Sequence, residues 1–213
     1  MNATRSRVDE RLDVIATVLL AIATVATAWS GYQASRWNGE AQKAAGRSNA
    51  LRIESAKAAG LANAETEVDV ATFSSWIDAY AQGQAQLASF YFKRFRAEFR
   101  PAVNAWAATR PLKNPDAPLT PFAMPQYRLA AREASAKLEA DADASAHAAV
   151  TNIGRATNYV LAVVLLAAAL FFAGMSVKLQ RPALRRSLLV FGLIAFLGTV
   201  AWIGTFPISF VIG

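Results

Sequence analysis

The chain has no cysteine and a single histidine, His147, among its 213 residues. Disulfide scaffolds, thiolate metal sites and histidine-cluster metal sites are thereby excluded, as is a histidine relay built from more than one ring. Proline is missing from Met1 to Arg100. Charge is scarce at 17%, with a net of +7, while hydrophobic residues make up 54%. A soluble domain carries about 25% charged residues. No nucleophile elbow, phosphate loop, zinc motif or dinucleotide fingerprint occurs, so the sequence calls for no cofactor and reads as a non-enzyme.

Charge is absent altogether from three stretches: Val14–Ser35, Ala156–Val177 and Ser187–Gly213, of 22, 22 and 27 residues. A bilayer core needs about 20 apolar residues of helix. The fold expected is therefore an all-α membrane protein with three transmembrane helices. Its organisation reads as a cytoplasmic tail (1–13), a first span (14–35), a helical extracytoplasmic domain (36–155), a second span (156–177), a basic link (178–186), and a third span with an outer C-terminus (187–213). Ala26-Thr27-Ala28 imitates a signal-peptide cleavage site. Asp9, Glu10 and Asp13 ahead of the run are foreign to such a leader, and the segment reads as an uncleaved span.

Orientation follows the basic residues. Lys178, Arg181, Arg185 and Arg186 crowd the short link, which shares a side with Arg5, Arg7 and Arg11. That side is expected to be cytoplasmic, so the C-terminus and residues 36–155 are expected outside. Trp29, Tyr32, Trp37, Tyr159 and Trp202 fall at the expected outer interface, where amphipathic rings collect. Residues 36–155 carry only +3 of the net charge. The excess is an orientation signal, and no nucleic-acid partner is expected.

Within 36–155 the pattern predicts one long helix to Ala81, ended by Gly83, with Val70, Phe73, Ile77 and Tyr80 as its packing stripe. A middle helix is expected over Gln84–Thr109, with stripe Leu87, Tyr91, Phe95 and Phe99; Pro101 suits the first position of a new helical turn. Five prolines from Pro111 to Pro125 exclude helix there. Phe122 and Met124 are expected to anchor this segment, and from Gln126 a helix resumes and runs into the second span. The sketch is a stalk of three helices, with possible breaks of the first at Gly60 or Asn63.

On the first helix, Thr17, Ala21, Thr24, Ala28, Gly31, Ser35, Asn38 and Gln42 recur at 3.5-residue spacing, every one small or polar. The opposite face, Ile15, Val18, Ile22, Val25, Trp29 and Tyr32, is large and apolar. The small-polar seam reads either as close helix packing or as a pore lining. The acidic triplets Glu65-Glu67-Asp69 and Glu139-Asp141-Asp143 read as ion-pair partners rather than a calcium site; the second lies level with Arg47 and Arg52. Phe90–Arg96 mixes rings and cations and reads as the outer face of a packed helix. His147 reads as a polar surface residue.

The run Ala28-Trp29-Ser30-Gly31-Tyr32-Gln33-Ala34-Ser35-Arg36-Trp37 closes the first span. Asn114-Pro115-Asp116-Ala117-Pro118 and Pro121-Phe122-Ala123-Met124-Pro125 precede the return helix. Together these resemble uncharacterised bacterial three-span membrane proteins grouped as a domain of unknown function. The resemblance implies a bacterial inner (cytoplasmic) membrane and brings no activity. The expected function is a homo-oligomeric ion or small-solute channel lined by the seam. The alternative is a scaffold that holds a membrane-protein partner through residues 36–155. The bilayer and a second copy of the chain are the expected partners.

Overall fold

The computed structural model describes residues 7–179 and 181–209. Arg5 of the expected cytoplasmic tail and the last four residues of the expected outer C-terminus lie outside the described residues. The fold is all-helical there: α1 (Arg7–Ala81), α2 (Ala85–Arg94), α3 (Arg100–Ala108), a 3-10 turn (Pro121–Ala123), α4 (Ala130–Lys178) and α5 (Pro182–Ile203). Three of them, α1, α4 and α5, are long and apolar enough to cross a membrane. The third begins before the charge-free run and ends at Ile203, ten residues before the last residue of the chain.

α1 runs 75 residues without interruption, so neither Gly60 nor Asn63 breaks it. Ala-rich sequence free of proline keeps every intrahelical hydrogen bond available. Gly83 ends the run as expected, with a left-handed φ of 72° that glycine adopts without steric cost.

The chain divides into two compact units. The span unit takes α1 up to Gly46 together with everything from Ser145 onward; the insert unit is Arg47–Ala144. In the span unit, Ala16, Leu19 and Ala23 of α1 pack with Leu166, Ala169 and Ala173 of α4 and Leu189 and Phe196 of α5. Small side chains let the backbones approach closely. Gly192 shows how closely: a Cβ there would sit 3.2 Å from the Ala169 carbonyl oxygen and 3.3 Å from the Ala173 nitrogen.

In the insert unit, Phe73, Trp76, Phe95, Phe99 and Trp106 form an aromatic core. Phe122 and Met124 pack against it, as their sequence setting suggested. The Phe122 ring stacks on Phe99 at 5.1 Å and 8°. Four expectations are corrected here. The middle helix does not run from Gln84 to Thr109. It stops at Arg94, where Phe95 turns extended, and restarts at Arg100. Pro101 stands in the first turn of α3, as its sequence setting suggested, and has no N–H for a helix continuing from α2. The break coincides with burial of Phe95 and Phe99, whose rings meet at 5.1 Å. The pieces of 10 and 9 residues span only about 15 Å each. They cannot serve as the third leg of a stalk, and α1 meets α4 directly instead, with Ser55 bonded to Ser135 at 3.0 Å. The stripe of α1 also differs in phase: Val70 and Tyr80 face outward, and Asp69, Phe73, Trp76 and Ala79 face in. The return helix α4 starts at Ala130 rather than Gln126.

Candidate functional site

α1 carries three stripes in the span unit, roughly a third of a turn apart. One is buried: Ala16, Leu19, Ala23, Ser30, Ala34, Trp37 and Ala41. The second is the large apolar face from Ile15 to Tyr32, all of it exposed. The third is the small-polar seam. All eight of its residues, Thr17, Ala21, Thr24, Ala28, Gly31, Ser35, Asn38 and Gln42, are exposed. The seam is therefore not what α1 uses to pack in its own chain. Its hydroxyls in the apolar stretch bond inward to their own helix. Thr17 Oγ1 donates to the Asp13 carbonyl at 2.8 Å and Thr24 Oγ1 to the Leu20 carbonyl at 2.7 Å. A threonine satisfied in this way needs neither water nor a partner.

The five aromatic anchors divide. Trp29 and Tyr32 are exposed, with ring centroids 5.9 Å apart. Trp37 and Tyr159 are buried and turn inward. Trp37 Nε1 and the Tyr159 hydroxyl both donate to the Pro207 carbonyl, each at 3.2 Å. Trp202, half-buried, packs edge-on against Phe206. Beside them, Gln33 is fully buried in α1. Its amide exchanges two bonds with the backbone of Ser209: Nε2 donates to the carbonyl at 3.3 Å, and Oε1 accepts from the N–H at 3.0 Å. A side-chain amide here does what a neighbouring strand would do, holding the segment after α5 onto α1. The Arg155 guanidinium covers the Trp37 ring at 4.5 Å.

At the other end of the span unit, the four basic anchors also divide. Lys178, Arg181 and Arg186 are exposed, whereas Arg185 is buried and donates to Asp13 of α1. This contact puts the starts of α1 and α5 side by side, as an up-down-up course requires.

The insert unit holds a polar knot beside its aromatic core. Asp69 is fully buried. Arg96, freed by the break between α2 and α3, reaches Asp69 at 2.9 Å, Glu65 at 2.6 Å and Glu98 at 2.8 Å. The Tyr127 hydroxyl donates to Asp69 at 3.3 Å. Asp69 Oδ1 and Glu65 Oε2 are left buried without a hydrogen bond. Burial pushes the Asp69 carboxyl above the usual range, against the opposing pull of Arg96 and Tyr127. The outer members of the first acidic triplet thus share one cation, and no metal cluster occurs among the described residues. The second triplet behaves as expected, with Arg52 between Asp143 at 3.2 Å and Glu139 at 3.9 Å. These pairs are half-exposed and worth about 0–1 kcal/mol. His147 is exposed, on the surface as expected.

A cleft of about 330 Å³ opens on the same unit between the end of α1 and the turn after α3. Trp76, Ile77 and Tyr80 of α1 line it together with Trp106 of α3 and Arg110 and Lys113 beyond it. Trp76 and Tyr80 stack at 5.3 Å and 20°. Arg110 holds a left-handed φ of 54° just past the end of α3, a position where glycine is the low-cost choice.

Sequence reasoning missed Gln33, the knot and the cleft. Gln33 had a signal in being the lone long polar side chain of a charge-free run. Asp69 shared the phase of Phe73 and Trp76. The cleft had none, because it depends on where the break in the middle helix places Arg110. The chain matches no protein-family model, no curated protein and no solved structure.

Proposed function

We propose that this is a non-enzymatic integral membrane protein that associates with its own copies through the α1 seam and offers its insert unit to a partner. The observation that carries this reading is the exposure of all eight seam residues on a helix whose other two faces already have an occupant or a lipid-like character. Small residues in such a stripe favour close helix approach. Hydroxyls already bonded to their own backbone favour a dry contact over a wetted one. The layout, the basic link and the motif resemblance support a bacterial inner membrane with the N-terminus in the cytoplasm and the insert unit outside.

The absence of native cysteine makes the test direct. Single cysteines at Thr24 or Gly31 should cross-link copies of the chain in membranes. A cysteine at Val25, on the neighbouring face, should not. Monomers throughout, or equal cross-linking at all three, would reject association through the seam. A second reading, a channel lined by the same seam, draws on the polar run Ser35, Asn38 and Gln42 that continues it. In planar bilayers that reading requires a current that Thr24→Leu reduces.

A further inference from the structure

We propose that the cleft of the insert unit binds a small organic anion with a flat apolar body and one carboxylate or sulfonate head. About 330 Å³ is the low end of the range for small-molecule sites, enough for a two-ring body. The cleft presents the Tyr80 ring, backed by the buried Trp76 it stacks on, and Ile77. Tyr80 is exposed although it is large and aromatic, and Leu112, also lining the cleft, is 67% exposed. The lining also supplies charge of one sign. Arg110 and Lys113 line the cleft, no carboxylate does, and neither cation has an ion-pair partner among the described residues.

Their backbone is fixed before any ligand arrives. The Arg110 carbonyl accepts from the Lys113 N–H at 2.8 Å and the Asn114 N–H at 3.0 Å. The Arg110 N–H donates to the Ala107 carbonyl at 3.0 Å. The left-handed conformation at Arg110 sets a long cationic side chain at a helix end where glycine would fit without strain. Apolar walls with a few convergent polar groups and a preorganised head-group site describe ligand clefts in general, and a guanidinium suits a planar carboxylate. A neutral ligand would leave both cations unused, and a cation would be repelled by them.

The full chain in lipid nanodiscs can be titrated by calorimetry with 2-naphthoate and with its neutral counterpart 2-naphthamide, against protein-free nanodiscs. Naphthoate is expected to bind saturably, about tenfold more tightly than the amide. Lys113→Gln and Arg110→Asn should each weaken naphthoate by about fivefold to tenfold and leave the amide unchanged. Asparagine tolerates the left-handed backbone, so the second variant removes charge without unfolding the turn. Tyr80→Ser, at an exposed position, should weaken both ligands. Absence of saturable heat with naphthoate, equal affinity for acid and amide, or indifference to both charge variants would overturn the proposal.

Discussion

The two units bury opposite kinds of side chain, although α1 contributes to both. In the span unit the buried stripes are mostly small: Ala16, Ala23, Ala34 and Ala41 on α1, with Ala156, Ala162, Ala169 and Ala173 on α4. In the insert unit they are rings: Phe73, Trp76, Phe95, Phe99 and Trp106. The difference follows from the surroundings that the two outer surfaces suit. Against lipid tails, hiding apolar area gains little, so helices hold by close backbone approach and by the few polar groups that pair. Against water, apolar area removed contributes roughly 25 cal/mol per Å², and aromatic residues carry the most area. Each unit also sets an arginine against carboxylate: Arg185, buried, beside Asp13 in the span unit, and Arg96, half-buried, among Glu65, Asp69 and Glu98 in the insert unit.

The strongest way to probe that contrast is Arg96→Gln. It strands Glu65, Asp69 and Glu98 together and should destabilise the insert unit by about 3–5 kcal/mol. Hydrogen exchange of residues 47–144 would read it without averaging over the span unit. The pH dependence has a fixed sign. Burial holds the Asp69 carboxyl above its ordinary value, so the folded state binds more protons than the unfolded state through that window. Its contribution is most favourable at acid pH and is lost as pH rises through the folded value. Losing Arg96 widens the window upward, so the variant's penalty should be smaller at pH 4 than at pH 7. A penalty independent of pH would remove the buried carboxylates from the explanation.

The span unit's reliance on closeness is tested by a smaller effect. Gly192→Val should cost about 1–3 kcal/mol, because its Cβ meets backbone atoms that cannot give way easily. Gly198→Val, where a Cβ meets nothing within 4 Å, should stay within about 0.5 kcal/mol. Equal unfolding midpoints for the two in detergent would break the comparison. The smallest effect is a gain. Arg110→Gly relieves a left-handed non-glycine residue and should stabilise the insert unit by about 0.5–1 kcal/mol, read as a raised melting temperature.

What the sequence made legible was governed by local chemistry. Absence of charge located the three spans. Gly83 closed α1, the prolines excluded helix between α3 and α4, and Phe122 and Met124 found the core. Arg52 found its carboxylates because rise per residue set the levels. The failures lie where tertiary contacts decide. Val70 and Tyr80 fit a helical stripe as well as Asp69 and Trp76 do, and only the partner rings choose between them. Pro101 announced a new helical turn, but nothing local places the break as early as Arg94, where Phe95, Arg96 and Phe99 each have a partner to meet. The seam on α1 was legible as a small-polar stripe, but the buried stripe beside it was not, since alanine and serine give almost no hydropathy signal.

That buried stripe has a spacing of its own. Ala34, Ala41, Ser48, Ser55, Ala62, Asp69 and Trp76 are all buried and lie seven residues apart along one unbroken helix. Such a helix is in effect a ruler, and its tolerance to changes of length is periodic. One residue inserted between Ser55 and Ala62, within the insert unit, turns the rest of α1 by about 100° and carries Asp69, Phe73 and Trp76 off its core. Seven inserted residues restore the phase. They also slide Thr66 about 10 Å past Arg132 of α4, which it meets at 3.4 Å, so α1 should keep the fold only when lengthened in steps of seven with a matching insertion in α4.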